Sequence, residues 1–98
     1  MTTGYLTVMK ISGDPDDLAS RYELTAETFE EVGRDHDLIL HAAAKADGGL
    51  LVVNLWPSRD QSEAAARDQR RIDAVAGHQL DPSQIGREHF PVTNWYTG

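Results

Sequence analysis

The stretch LILHAAAKADGGLLVVNLW, residues 38–56, constrains the fold more than any other part of the chain. It consists of two apolar runs joined by Asp47-Gly48, and this dipeptide between apolar runs is one of the strongest short signals for a β-hairpin. We therefore predict two antiparallel strands, over residues 38–45 and 50–56.

The length of the hairpin loop decides which side chains share a face. With a loop of two or four residues, His41 lies opposite Asn54, and Ile39 lies opposite Trp56 on the same face. The other face is aliphatic along both strands. A three-residue loop would shift the register by one residue and separate His41 from Asn54, so the predicted pair depends on this turn.

Helix signals and β-prone segments flank the hairpin on both sides. Asp14 before Pro15 favours a helix start, and Ser58 with Gln61 three residues later favours a second one. Gly33 is predicted to cap the end of the first helix. The predicted elements are a strand over residues 5–11, a helix from Asp14 to Gly33, the hairpin, a helix from Ser58 to Ala76, a loop from Leu80 and a strand over residues 89–96.

This β-α-β-β-α-β order predicts the fold class and the assembly. We expect one domain, residues 1–98, of the α+β class: a ferredoxin-like βαββαβ fold with a four-stranded antiparallel sheet and two helices on one face. Neither face of the hairpin is a solvent face, so a second copy of the chain should cover the face without helices. The His41 face should meet the helices, because the alanine-rich second helix leaves volume there for a pocket.

Composition removes several classes of function. The net charge of −7 repels the phosphate groups of nucleic acids and anionic membranes, so we expect neither as a partner. No apolar run approaches the roughly 20 residues that span a bilayer, and the N-terminus lacks the features of a secretory signal, so a cytoplasmic location is expected. There are no cysteines, so any metal would need histidine and carboxylate ligands. The pair His36 and His41 does not have convincing metal-site placement, and we expect no metal.

The segment DLILHAAAKADGGLLVVNLWPSRDQSEAA, residues 37–65, resembles the dimeric α/β-barrel superfamily, specifically the small proteins similar to antibiotic-biosynthesis monooxygenases. A histidine-bearing strand, an Asp-Gly-Gly hairpin, a strand ending in tryptophan and a serine-capped helix carry the resemblance. It looks most similar to uncharacterised actinobacterial members. The resemblance implies a dimeric barrel with a pocket between helices and sheet in each subunit, and activities that include cofactor-free oxygenation of aromatic polyketides, polyketide cyclisation and haem degradation.

The resemblance also implies site residues. Oxygenases of this group are similar in using an asparagine and a tryptophan on the third strand, which map onto Asn54 and Trp56 with a different spacing. Cyclases carry a histidine just after the second helix, where His78 lies, although their His-Pro-x-x-His pattern is absent. We find no equivalent of the axial histidine that haem-binding members need, and we expect no cofactor.

The candidate catalytic residues are His41 and Asn54. A neutral imidazole can take a proton from a phenol or an activated C–H group, and an asparagine amide can hold the resulting oxyanion. The two side chains could equally satisfy each other as a structural pair. The candidate substrate-binding residues are Trp56, Tyr22, Trp95 and His78. Arg67 or Arg71 could reach over the pocket mouth to an acidic substrate.

Two functional hypotheses follow. The first is a small enzyme of secondary metabolism that binds a hydrophobic, aromatic or polyketide-like molecule and catalyses cofactor-independent oxygenation or cyclisation. His41 would be the general base, and Asn54 would donate a hydrogen bond to the oxyanion. Trp56 would form the apolar wall of the pocket. The second is a non-catalytic homodimeric binding or interaction module in which side chains fill the pocket. A haem- or metal-dependent enzyme is a distant third.

Overall fold

The computed structural model describes residues 3–77 and 82–98. The candidate His78 and the predicted start of a loop at Leu80 lie outside these ranges. Within them, a short 3₁₀ helix covers Pro82–Gln84 before the last strand. The strands are β1 (Gly4–Ser12), β2 (Leu40–Ala46), β3 (Gly49–Trp56) and β4 (Ile85–Val92), and the α-helices are α1 (Pro15–Glu23), α2 (Ala26–Asp35), α3 (Arg59–Ala66) and α4 (Gln69–Gly77).

The four strands form one antiparallel sheet in the order β2-β3-β1-β4. Ala46 pairs with Gly49, so the hairpin closes through the two-residue turn Asp47-Gly48. Gly48 has φ 74°, which glycine adopts without the steric cost that other residues meet. The predicted register is confirmed, because His41 lies opposite Asn54.

The sequence predicts one continuous first helix. This prediction is wrong, because α1 and α2 are separate helices. The break falls at Leu24 and Thr25. Thr25 is buried, and both its backbone N–H and its Oγ1 hydroxyl donate hydrogen bonds to the carbonyl of Tyr22, at 2.9 and 2.7 Å. These bonds satisfy polar groups at the turn, and the apolar spacing of the helix gives no sign of them.

The second predicted helix is also divided, into α3 and α4. Asp68 lies in the break, and its Oδ1 accepts a hydrogen bond of 3.0 Å from the backbone N–H of Arg70. Its backbone carbonyl accepts from the N–H groups of Arg71 and Ile72. Asp68 therefore starts a new helix in the manner of an N-cap residue.

Gly33 was predicted to end the first helix, and this prediction is wrong. The helix α2 continues to Asp35, with His36 as its C-cap. Gly33 is buried, and a Cβ atom there would lie 2.6 Å from Cδ2 of Leu38. The glycine permits close packing of the chain that leaves the helix, whereas Asp37 takes the left-handed conformation with φ 61°.

The last strand begins earlier than the sequence predicts. Strand β4 covers Ile85–Val92, so residues predicted as loop are strand, and Trp95 and Tyr96 lie beyond its end. β4 is an edge strand, which is where Pro91 removes no necessary hydrogen bond.

The helices pack on one face of the sheet, which we call the inner face. The opposite face, which carries no helices, is the outer face. Two buried clusters lie on the inner side: Ile11, Leu18, Leu50 and Val52, and then Val32, Trp56 and Ala65. The outer face carries exposed apolar side chains, with Leu40 at 50% and Phe90 at 44% exposure. In the single chain, β2 is exposed along nearly its whole length, although the sequence predicts that neither face of the hairpin is a solvent face.

None of the helices in residues 3–77 and 82–98 combines the length and the apolar character that a membrane crossing requires.

Candidate active site

A cavity of about 110 Å³ lies between the inner face of the sheet and the helices. Its floor is formed by alternate residues of the four strands, which point to the same side of a sheet. Its roof is formed by side chains of α1, α2, α3 and the start of α4. The polar side chains in its lining that matter for chemistry are Tyr22, His41, Asn54, Arg71, Arg87 and His89.

Three of these side chains form a continuous chain of hydrogen bonds. The Tyr22 hydroxyl lies 2.5 Å from Nε2 of His41, and Nδ1 of His41 lies 2.5 Å from Oδ1 of Asn54. The rings of Tyr22 and His41 are nearly parallel, with an interplanar angle of 11°. The structure therefore brings together the predicted pair of the hairpin and Tyr22, which the sequence offered only as a residue that contacts substrate.

The hydrogen-bond partners of His41 define which ring nitrogen carries the hydrogen when the imidazole is neutral. A carbonyl oxygen only accepts hydrogen bonds, so Nδ1 of His41 carries the hydrogen that it donates to Asn54. Nε2 then has the free lone pair, and the Tyr22 hydroxyl donates to it. Oδ1 of Asn54 is used in this contact, and its Nδ2 group has no hydrogen-bond partner within residues 3–77 and 82–98. Nδ2 is thus the group of Asn54 that remains for a ligand.

Burial of Tyr22 keeps its hydroxyl protonated. Loss of solvation raises the pKa of Tyr22 from 10.0 to about 12, while the nearby positive charge of Arg71 acts in the opposite direction. At neutral pH the Tyr22 side chain is thus a hydrogen-bond donor and not a phenolate.

This raised pKa predicts a loss of stability at high pH. The folded state holds the Tyr22 proton more tightly than the unfolded state, so this contribution to the free energy of unfolding is present below pH 10 and falls as the pH rises through about 12. In rapid pH jumps followed at 295 nm, the Tyr22→Phe variant should lack the part of the tyrosinate absorbance that develops near pH 12 in the wild type. Equal titrations of the two proteins in that range would contradict this assignment.

Trp56 forms part of the apolar wall of the cavity. The side chain is only 6% exposed, and its Nε1–H group donates a 3.4 Å hydrogen bond to Oγ1 of Thr7. This contact satisfies the indole N–H, so the ring can present its carbon surface to the cavity.

Sequence reasoning missed two cavity residues on β4. Arg87 and His89 line the cavity, although neither was among the predicted site residues. His89 stacks on Tyr5, with the ring centroids 5.9 Å apart. An alternating strand that starts at Ile85 would have placed both side chains on the inner face, and this is the signal that could have found them.

Trp95 does not join the other candidates. Its Nε1–H group donates a 3.1 Å hydrogen bond to the carbonyl of Thr3, and its Cδ1 would lie 3.4 Å from a Cβ on Gly4, beside Leu55. Gly4 and Leu55 belong to the outer face, so Trp95 lies on the opposite side of the sheet from the cavity.

His36 belongs to a separate charged cluster at the break between α3 and α4. Its Nε2 lies 3.1 Å from Asp68, which also binds Arg70, and Arg70 extends to Asp35. Arg70 and, to a smaller degree, His36 hold the pKa of Asp68 below its ordinary value. His36 and His41 are thus engaged separately, and no group of three or more potential metal ligands occurs in residues 3–77 and 82–98.

The sheet, the helices on its inner face and the strand order define a ferredoxin-like α+β protein. Scans against models of known protein families and against curated protein sequences give no match. Solved structures that match this chain include monooxygenases of antibiotic biosynthesis, the group that residues 37–65 indicated.

Three of these structures span almost the whole chain. A variant of SnoaB, a cofactor-independent oxygenase from Streptomyces nogalater, is 15% identical with a TM-score of 0.63, over 99% of this chain and 97% of its own. The monooxygenase ActVA-Orf6 of Streptomyces coelicolor, solved with nanaomycin D, is 16% identical with a TM-score of 0.72, over 99% and 94%. A dimeric ferredoxin-like protein from an uncultured marine organism is 14% identical with a TM-score of 0.75, over 98% and 93%. These likenesses confirm the predicted fold.

Proposed function

We propose that this chain is a small enzyme that binds an aromatic or polyketide-like molecule in the inner cavity and removes a proton from it without a cofactor. The observation that carries the proposal is the hydrogen-bond chain from Tyr22 through His41 to Asn54 at the wall of an otherwise largely apolar cavity. The likeness to a cofactor-independent oxygenase adds support, but the site carries the proposal because fold alone does not define an activity.

The proposed proton path runs from the substrate to His41 through Tyr22. A substrate hydroxyl or activated C–H group gives its proton to the Tyr22 oxygen while the Tyr22 hydrogen moves to Nε2 of His41. Tyr22 stays neutral in this exchange, in accord with its raised pKa. The carbonyl of Asn54 accepts from Nδ1–H and stabilises the imidazolium, and its Nδ2 group can donate to the oxyanion.

Two reactions can follow the loss of this proton. In oxygenation, the carbanion forms a bond with dioxygen, and the resulting peroxide loses water, so that a methylene group and O₂ give a carbonyl group and H₂O. In cyclisation, the carbanion attacks a carbonyl carbon of the same molecule, and the new hydroxyl leaves as water. The site offers the same base for both, and turnover under oxygen and under nitrogen separates them.

The size of the cavity limits what it encloses. A volume of about 110 Å³ is comparable to the roughly 150 Å³ cavity known to bind benzene, so it holds one aromatic ring. A polycyclic molecule would place one ring beside Trp56 and extend out of the mouth.

The outer face supports the proposal of a homodimer. Leu40 and Phe90 are exposed there by 50% and 44%, next to a face that is aliphatic along β2 and β3. Burial of such a surface favours association, and a C₂ pair of sheets would cover both outer faces at once. One structurally similar protein is described as dimeric.

A second candidate is a non-catalytic homodimeric binding or interaction module. The small cavity and the mutual hydrogen bonding of Tyr22, His41 and Asn54 favour it, because polar side chains in a protein can pair only to satisfy one another. In this case the hydrogen-bond chain would contribute to stability and not to turnover.

The test of the site measures ligand binding through the fluorescence of tryptophan. The chain has two tryptophans, so a Trp95→Phe background leaves Trp56 as the sole reporter. Titration with 2-naphthol should give saturable quenching in this background, and Asn54→Ala should weaken the apparent affinity by about tenfold, the cost of one lost hydrogen bond to a polar ligand group.

A matched control is Asn94→Ala, since Asn94 is exposed, follows β4 and does not line the cavity. It should leave the titration unchanged. Quenching that never saturates, or that is equal in all three proteins, would remove the support for a ligand site beside Trp56 and favour the interaction module.

A further inference from the structure

Two arginines line the cavity without any acidic partner. Arg71 comes from the first turns of α4 and Arg87 from β4, so they approach the cavity from its roof and its floor. Neither guanidinium makes an ion pair or a side-chain hydrogen bond within residues 3–77 and 82–98. In the same ranges, Arg21, Arg34, Arg59 and Arg70 each pair with a carboxylate.

The absence of an acid beside these two arginines is notable in a chain with 16 aspartates and glutamates against nine lysines and arginines. Arg71 is half-buried and Arg87 is exposed. Loss of solvation and then repulsion by Arg87 lower the pKa of Arg71, while the Tyr22 hydroxyl acts in the opposite direction. A half-buried guanidinium next to a second cation is unfavourable until an anion is bound between them.

We propose that Arg71 and Arg87 form a binding site for the carboxylate of an aromatic acid, so that the ligand of the cavity is an anionic molecule. This inference rests on the proposed function for the aromatic part of the ligand. The ring occupies the apolar space by Trp56, and the carboxylate lies between the two guanidinium groups. A planar carboxylate suits this pair because each guanidinium can present two parallel N–H donors to it.

Tyr22 and His41 line the same cavity as the two arginines. Arg71 is close enough to Tyr22 for each to shift the ionisation of the other. A bound carboxylate would neutralise the charge of Arg71 and remove its lowering effect on the Tyr22 pKa. The ligand would therefore hold its acidic group at the arginines and present its phenol or activated methylene to Tyr22 and His41.

The experiment compares acids with their neutral esters. The probes are 4-hydroxybenzoate, 6-hydroxy-2-naphthoate and the methyl ester of each, titrated at pH 7 into the full chain by calorimetry. In the wild type, at least one acid should bind about tenfold or more tightly than its ester, because hydrogen bonds to charged groups are worth that factor. Arg71→Gln and Arg87→Gln should each remove most of this preference and leave the affinity for the ester unchanged.

Arg67→Gln is the matched control. Arg67 is exposed, lies between α3 and α4 and does not line the cavity, yet its loss changes the net charge by the same amount. The variant should retain the preference for the acid. An equal loss in Arg67→Gln would mean that bulk charge attracts the acid, and the proposed site would be rejected.

The remaining outcomes separate the two proposals. Equal binding of acid and ester in the wild type would reject the carboxylate site while the aromatic site stands. No binding of any of the four probes would reject the aromatic site and the carboxylate site together.

Discussion

Replacing His41 with alanine is expected to lower the rate of substrate consumption by about 10²–10⁴-fold, the usual contribution of a general base. The variant loses the only acceptor for the Tyr22 proton that the described residues provide, since the Tyr22 hydroxyl contacts Nε2 of His41. A suitable probe is 1,8-dihydroxyanthrone, which carries an acidic methylene and phenols. Oxygen uptake and product absorbance would be followed together.

The fold should survive this change. His41 is exposed on the edge strand β2, so the variant should melt within a few degrees of the wild type. His36→Gln is the control, because His36 lies outside the cavity and glutamine can still donate to Asp68. Wild-type turnover in the His41→Ala protein would exclude His41 as the base, and loss of turnover in both histidine variants would point to a general effect on structure.

Replacing Gly49 with alanine is expected to cause the largest loss of stability of any change considered. A Cβ atom at Gly49 would lie 2.0 Å from the backbone oxygen of Ile11. The backbone cannot rotate away as a side chain can, so β1 and β3 would have to separate where Gly49 pairs with Ser12. We expect a cost of about 3 kcal/mol, which is at the upper end for overpacked sites. Urea denaturation of the purified variant measures it directly.

Gly86→Ala is the matched control for this substitution. Gly86 is also a strand glycine, yet the nearest atom to a Cβ there is the Lys10 oxygen at 3.9 Å. Its stability should equal that of the wild type or exceed it slightly, because alanine loses less conformational freedom on folding. A loss at Gly49 no greater than that at Gly86 would show that the two strands can move apart without cost.

The hairpin and the fold class could be predicted because local rules agreed there. The Asp47-Gly48 turn sets the register, and the register places His41 opposite Asn54 whatever the rest of the chain does. The inner position of this pair followed from the small side chains of the helix above it. Both predictions needed only local spacing and volume.

The breaks in the helices could not be predicted from apolar periodicity. The stripe of the first helix continues in register across Leu24, and only the side-chain and backbone bonds of Thr25 interrupt it. Asp68 was a better signal, since an aspartate inside a predicted helix is a potential N-cap. An N-cap assigned to Asp68 would have placed Arg71 in the first turn of a new helix.

Two members of the site were missed for a related reason. The last strand was predicted over residues 89–96 and lies earlier in the chain, so its start was placed at His89 in place of Ile85. Arg87 was therefore predicted to lie in a loop. The role of Tyr22 in the hydrogen-bond chain depends on how α1 crosses the sheet, which is tertiary information that spacing along one helix does not contain.

The two parts of the cavity come from different kinds of structure. His41 and Asn54 are held by the main-chain ladder between β2 and β3, whereas Arg71 stands on α4, which follows a break in the chain. Substitutions in α4 can therefore change the proposed carboxylate site while His41, the proposed base, and Asn54 keep their geometry. A lineage of such proteins could exchange one ligand for another through substitutions in α4 and keep the hydrogen-bond chain of Tyr22, His41 and Asn54 in place.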